Sequence, residues 1–120
     1  MKDQIPDSIE GQSYISLTTF RKTGVGVSTP VWFGEQGGKL YVMTRAHSGK
    51  VKRVRNNPRV KVAPCTIRGK VTGPEFEASA TLLPQEDWKW ARKTITSKYL
   101  LAKLSSPFSR ADAFLEVSFE

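Results

Sequence analysis

The segment that most limits how this chain can fold runs over residues 40–60. Leu40, Val42 and Thr44 alternate there with Tyr41, Met43 and Arg45, the two-residue period of a half-buried strand. A polar turn follows, then a short basic stretch whose Val51 and Val54 are spaced to face a core, and Asn57-Pro58 stops it. A strand must therefore hand over to a short helix at residues 48–57. Thr44, Ser48, Gly49, Lys50 and Arg53 form the pattern T-x3-S-G-K-x2-R across that junction. Small hydroxyls, an unobstructed backbone N–H at a helix start and adjacent cations are what a phosphate group needs. The spacing is not that of a Walker loop. Taken alone, the same residues also fit a solvated basic helix.

The remainder of the chain reads mainly as short strands. Residues 14–20 are rich in aromatic, Ile and Thr residues, and Arg21-Lys22-Thr23-Gly24 is a turn. Residues 25–33 form a second strand, and Pro30 inside it belongs at a sheet edge or a bulge. The stretch Gly34-Glu35-Gln36-Gly37-Gly38 is a hairpin turn into the strand at 39–45. Further strands are expected at residues 59–66, 75–83 and 113–119. Pro84 opens the longest helix, with Glu86 and Asp87 in its first turn and Trp88, Ala91, Ile95, Tyr99 and Ala102 on one stripe. That stripe suits a core or a subunit contact. Hairpin-linked short strands with one short and one longer helix predict an antiparallel β-barrel, and no Rossmann glycine fingerprint follows any strand.

With 120 residues, the chain is read as a single domain, residues 1–120, in which 1–12 are an N-terminal segment and 13–120 the barrel. Composition excludes several functions. A single His47 and a single Cys65 are too few for an intramolecular disulfide, a zinc site of the usual type or a Ser-His-Asp triad with a serine elbow. No metal site is expected, and no catalytic side chain is assigned. No apolar run is long enough to span a bilayer, and the start Met1-Lys2-Asp3-Gln4-Ile5-Pro6 lacks a signal-peptide core, so a cytoplasmic protein without a membrane partner is expected. The net charge of +8 calls for an anionic partner.

The order of these elements resembles the pyridoxamine-phosphate-oxidase-like split barrel, and within it the small deazaflavin (coenzyme F420)-dependent enzymes. The likeness is carried by Tyr14-Ile15-Ser16-Leu17-Thr18-Thr19 with its basic turn, Pro30-Val31-Trp32-Phe33, and Gly38-Lys39-Leu40-Tyr41-Val42-Met43-Thr44. It continues in Ser48-Gly49-Lys50-Val51, Arg55-Asn56-Asn57-Pro58-Arg59-Val60, Cys65-Thr66-Ile67-Arg68-Gly69-Lys70 and Phe114-Leu115-Glu116-Val117.

The resemblance implies a mainly β fold, a six-stranded antiparallel split β-barrel of Greek-key type. It also implies a homodimer holding a flavin-type cofactor in a groove at the subunit interface, with Trp88, Tyr99 and Trp32 as candidate contacts across it. Phosphate-binding positions of the family fall on Thr44, Ser48 and Lys50, with Gly49 at the turn and Arg53 or Arg55 as helper. The ring-contacting strand falls on residues 28–33, where the backbone of Pro30, Val31 and Trp32 would meet the pyrimidine edge, while Arg68 and Gly69 would line the cofactor tail. The implied activity is an oxidoreductase that moves a hydride between coenzyme F420, or FMN, and a small organic substrate. The +8 charge favours the deazaflavin, whose phosphodiester and polyglutamate tail are more anionic than FMN.

Two other classes fit the composition. A small β-barrel that binds nucleic acid would use the basic stretch, yet no Phe, Tyr or Trp lies between Tyr41 and Phe76 to stack on bases, so no nucleic-acid partner is expected. A non-catalytic flavin or haem carrier of the same fold would have His47 as its obvious axial ligand.

Overall fold

The computed structural model describes residues 5–98 and 112–119. Seven strands form one antiparallel sheet: β1 (Ile15–Phe20), β2 (Gly26–Val31), β3 (Gly34–Gln36), β4 (Lys39–Thr44), β5 (Arg59–Pro64), β6 (Phe76–Leu82) and β7 (Ala113–Phe119). Their spatial order is β2-β1-β5-β6-β7-β4-β3. Two helices, α1 (Gly49–Asn56) and α2 (Trp88–Lys98), complete the described chain.

Register aligns apolar faces on β1, β4, β5, β6 and β7. Leu17 opposes Val62, Val60 opposes Ala78, Ala80 opposes Val117, and Leu115 opposes Val42. Together with Ile15, Val31, Phe33 and Leu40 these side chains make one buried cluster, so strands far apart in the order share a core and the sheet curls into a half-barrel. Ala78 and Ala80 put only small side chains on the buried face of β6, within the same cluster as Phe33. Ile5 and Ile9 enter the same core from a turn in which the Ile9 and Glu10 amides donate to the Pro6 carbonyl. Ile5 and Ile9 are thus part of the hydrophobic interior.

The expected strand count of six is corrected to seven. Residues 34–36, read above as turn, pair with β4, Gly34 opposing Tyr41 and Gln36 opposing Lys39. The turn shrinks to Gly37-Gly38, both with positive φ (62° and 79°), a conformation open to glycine at little cost. Pro30 lies on β2, which is an edge of the sheet, where a missing N–H is tolerated.

The longer helix covers the outer face of β4 and β7. Ala91 and Ile95 pack with Tyr41 and Phe114, bordered by Trp32, Met43, Trp88 and Trp90. Pro84 precedes a 3-10 turn at Gln85–Asp87, and the α-helix begins only at Trp88. The Trp88 ring lies 5.6 Å from that of Phe114, and its indole N–H donates to the Leu83 carbonyl at 3.0 Å. Trp88 is thereby half-buried against the core of its own chain. Tyr99 and Ala102 lie outside the described residues.

Candidate functional site

The T-x3-S-G-K-x2-R residues meet where β4 passes into α1. Asp112, just before β7, pins this junction: its backbone N–H donates to the Thr44 carbonyl at 3.1 Å, and its carboxylate accepts from the Ala46 N–H at 2.6 Å. Ser48 caps the helix in an extended conformation (φ −70°, ψ 153°), and its Oγ accepts from the Val51 N–H at 3.4 Å. The Thr44 and Ser48 hydroxyls share a hydrogen bond of 3.2 Å. Gly49 opens the helix, and Lys50 and Arg53 follow on adjoining turns. These five residues form one cup.

Its charge is lopsided. The first turn of α1 has no acidic residue, and among the described residues no carboxylate forms an ion pair with Lys50 or Arg53. Burial pulls the Lys50 ammonium below its ordinary pKa of 10.5, and the neighbouring Arg53 charge pulls it further the same way. Arg53 is held from two sides. Its Nε donates to Thr19 Oγ1 of β1 at 2.5 Å, and its guanidinium lies so close over Gly49 that a β-carbon there would stand 2.6 Å from Nη1. Arg53 is therefore fixed, and Lys50 half-buried beside it, near hydroxyls and the positive end of a helix, an arrangement that an oxyanion completes. Arg55 is exposed, about 200° around the helix from Arg53, and stands apart from the cup.

A second group lies on β2. Val31 turns its side chain into the core, and Trp32 packs under α2 with its ring 6.3 Å from Tyr14, so neither offers a free side chain to a groove. Among the described strands β2 pairs only with β1, which leaves its outer backbone edge open. Pro30 is exposed, and Gly69 (φ 89°) brings the turn at 66–70 against it, a β-carbon on Gly69 falling 3.6 Å from Pro30 Cδ. Arg68 is exposed at the tip of that turn. Thr19, which opposes Val27 of β2, links the cup to this edge; Pro30 lies three residues farther along, about 10 Å.

Thr19 escaped the sequence reading, although a threonine where the Ile15, Leu17 period predicts an apolar side chain is a visible signal. A surface cleft of about 300 Å³ lies elsewhere, lined by Phe20, Gly24, Asn57, Arg59, Val60, Lys61 and Glu77. None of the predicted residues lines it, and its Arg59 is paired with Glu77 at 2.8 Å. His47 is exposed, and among the described residues no three His, Cys, Asp or Glu side chains converge. No described helix is long and apolar enough to cross a membrane.

The family model described as pyridoxamine 5'-phosphate oxidase matches residues 1–120. The chain belongs to the pyridoxamine 5'-phosphate oxidase family. Solved structures share the split-barrel fold of this family member at low identity. The haem storage protein HutZ of Vibrio cholerae is 13% identical with a TM-score of 0.70, covering 92% of this chain and 84% of its own. The conserved hypothetical protein Rv2991 of Mycobacterium tuberculosis is 20% identical with a TM-score of 0.69, covering 95% and 76%. A protein named F420 reductase is 19% identical with a TM-score of 0.64, covering 96% and 94%. No curated protein matched the sequence. The fold family thus includes an F420 reductase and haem-binding proteins alongside the oxidase that names it.

Proposed function

We propose that this protein is an oxidoreductase that binds coenzyme F420, with FMN as the alternative, and passes a hydride between it and a small organic substrate. The observation that carries the reading is the Lys50–Arg53 pair, a half-buried lysine beside a braced arginine, without a carboxylate partner among the described residues and set against Ser48 and Thr44. A cofactor phosphate fits this donor set: the hydroxyls and the open Gly49 N–H donate, and the cations neutralise. When bound, the cofactor supplies the hydride chemistry, and the protein supplies orientation and electrostatics.

The open edge of β2 is suited to the pyrimidine rim of the ring through backbone groups, and Arg68 and Gly69 to the cofactor's remote end. The half-barrel offers little depth for a tricyclic ring, so a second copy of the chain forms the other wall of the groove in this reading. Family membership and the F420 reductase fold relative support the cofactor class, and the +8 charge supports the more anionic member.

Titration of the purified protein with F420 and with FMN, followed by fluorescence, tests the reading. Saturable binding is expected. Replacing Lys50 with Ala removes a charge-assisted contact of about 1.5–3 kcal/mol and weakens affinity by roughly tenfold to a hundredfold. Unchanged affinity in that variant removes the cup from the site. A Soret band in the purified protein, with no flavin or F420 binding, replaces the oxidoreductase by a haem carrier.

A further inference from the structure

Thr19 is fully buried on the core face of β1, in line with Ile15 and Leu17, where a valine would fill the same space without a hydroxyl. A buried hydroxyl is costly unless bonded, and this one accepts from Arg53 Nε at 2.5 Å across 34 residues of chain. On the other side of the same guanidinium stands Gly49, exposed at the first position of α1, where any β-carbon would collide with Nη1 at 2.6 Å. Glycine has a lower helix propensity than alanine. Both departures from the locally favoured residue therefore touch one group.

We propose that Thr19 and Gly49 are positioning residues which aim the Arg53 guanidinium over the N-terminus of α1, so that it meets an incoming phosphate without first being ordered. The inference rests on the assignment of the cup to the cofactor phosphate, and deepens it. Thr19 holds Nε, which leaves the Nη groups to the ligand. Gly49 gives the guanidinium its resting place. An arginine otherwise loses several rotamers on binding, and a braced one has lost them on folding.

The test is a set of variants of the full chain, titrated with F420 and in parallel with FMN, with thermal stability measured on each. Thr19→Val and Gly49→Ala are each expected to bind about three- to tenfold more weakly, the loss that accompanies freeing one long side chain. Thr19→Ser, which keeps the acceptor, restores wild-type affinity. Gly49→Ala is the sharper variant, because alanine favours the helix: stability holds or rises while affinity falls, opposite signs that a merely structural glycine would not produce. In an Arg53→Met background, neither Thr19→Val nor Gly49→Ala has a further effect, since alanine keeps the residue 49 N–H and each substitution then acts only through the guanidinium.

Additive losses in that background, or wild-type affinity in Gly49→Ala alongside weakened binding in Lys50→Ala, overturn the proposal and leave the cup standing. Wild-type affinity in Lys50→Ala removes the cup and this inference with it. Should Thr19→Val fail to fold, Gly49→Ala with and without Arg53→Met decides alone.

Discussion

Gly34 and Ile95 meet almost backbone to backbone: a β-carbon on Gly34 would stand 3.0 Å from Ile95 Cγ1 and 3.1 Å from Ile95 Cα. The helix α2 thus lies directly on β3, and the side chain missing from residue 34 lets it approach. Gly34→Ala is expected to destabilise the protein by about 1–3 kcal/mol, the range for overpacking a filled interface. Chemical denaturation of the variant checks this. A neutral result would mean that α2 can shift away from β3 without loss.

Phosphate binding should weaken with pH earlier than an ordinary lysine would allow. The Lys50 pKa lies below 10.5 in the free protein, so its charge is lost as pH rises through that lowered value, and cofactor affinity falls with it. The stability of the free protein moves the other way. Between the lowered folded pKa and the unfolded value near 10.5, the unfolded chain holds more protons, so this group's contribution to stability rises with pH. Burial lowers Lys98 in the same direction, against the opposing pull of Glu35, so the Lys50 effect is read as the difference between the wild type and Lys50→Met.

Tyr41 should titrate well above the ordinary range of a tyrosine. Burial, a hydrogen bond to Glu116 at 3.0 Å and the charges of Glu116 and Asp87 push its phenol from 10.0 up to about 12. The folded state holds this proton more tightly, so the stabilising contribution is complete below pH 10 and disappears as pH rises toward 12. A spectrophotometric titration of tyrosinate follows it. Tyr41→Phe, which leaves Glu116 with Lys39 at 3.7 Å, is expected to cost roughly 1.5 kcal/mol.

The cofactor choice should appear in salt dependence. Arg21, Lys22, Lys52, Arg55, Arg68 and Lys70 are all exposed and available to a multiply charged tail. Exposed charges are screened over about 8–10 Å at physiological salt. F420 is therefore expected to bind more tightly than FMN at low salt, with its advantage narrowing as salt rises. Tighter FMN binding at every ionic strength, or FMN retained through purification, reverses the order.

Light scattering with bound cofactor tests the shared groove. A dimeric mass is expected, and a monomer that binds cofactor fully removes the interface site.

Much of the sheet was legible because its strands keep a clean period: Leu40, Val42 and Thr44 on β4, or Val60 and Val62 on β5, announce a buried face without help from the rest of the chain. The helix α1 was legible from Ser48 at one end and Asn57-Pro58 at the other. What remained hidden depends on contacts distant in sequence. Three residues that include Gly34 carry no strand propensity, and β3 exists because β4 offers it an edge. Ile5 and Ile9 are separated by Pro6, Asp7 and Ser8, which fit no period, so their burial follows only from the gap they fill. Within the cup, spacing pointed to Lys50, whereas the separation of Arg53 from Arg55 needed the position of Thr19 on another strand.

The turn that carries Ile5 and Ile9 has a kinetic consequence. It holds no place in the strand ladder, and exposed Gly11, Gln12 and Ser13 join it to β1. Its docking site is made of core side chains from several strands and exists only once they have come together, so this segment is a late arrival in folding and an early departure in unfolding. Hydrogen exchange at the Ile9 and Glu10 amides should run ahead of the β1–β5 ladder, through an opening smaller than global unfolding. While it lasts, that opening exposes apolar surface at one mouth of an otherwise intact half-barrel, and self-association in concentrated solution would begin there.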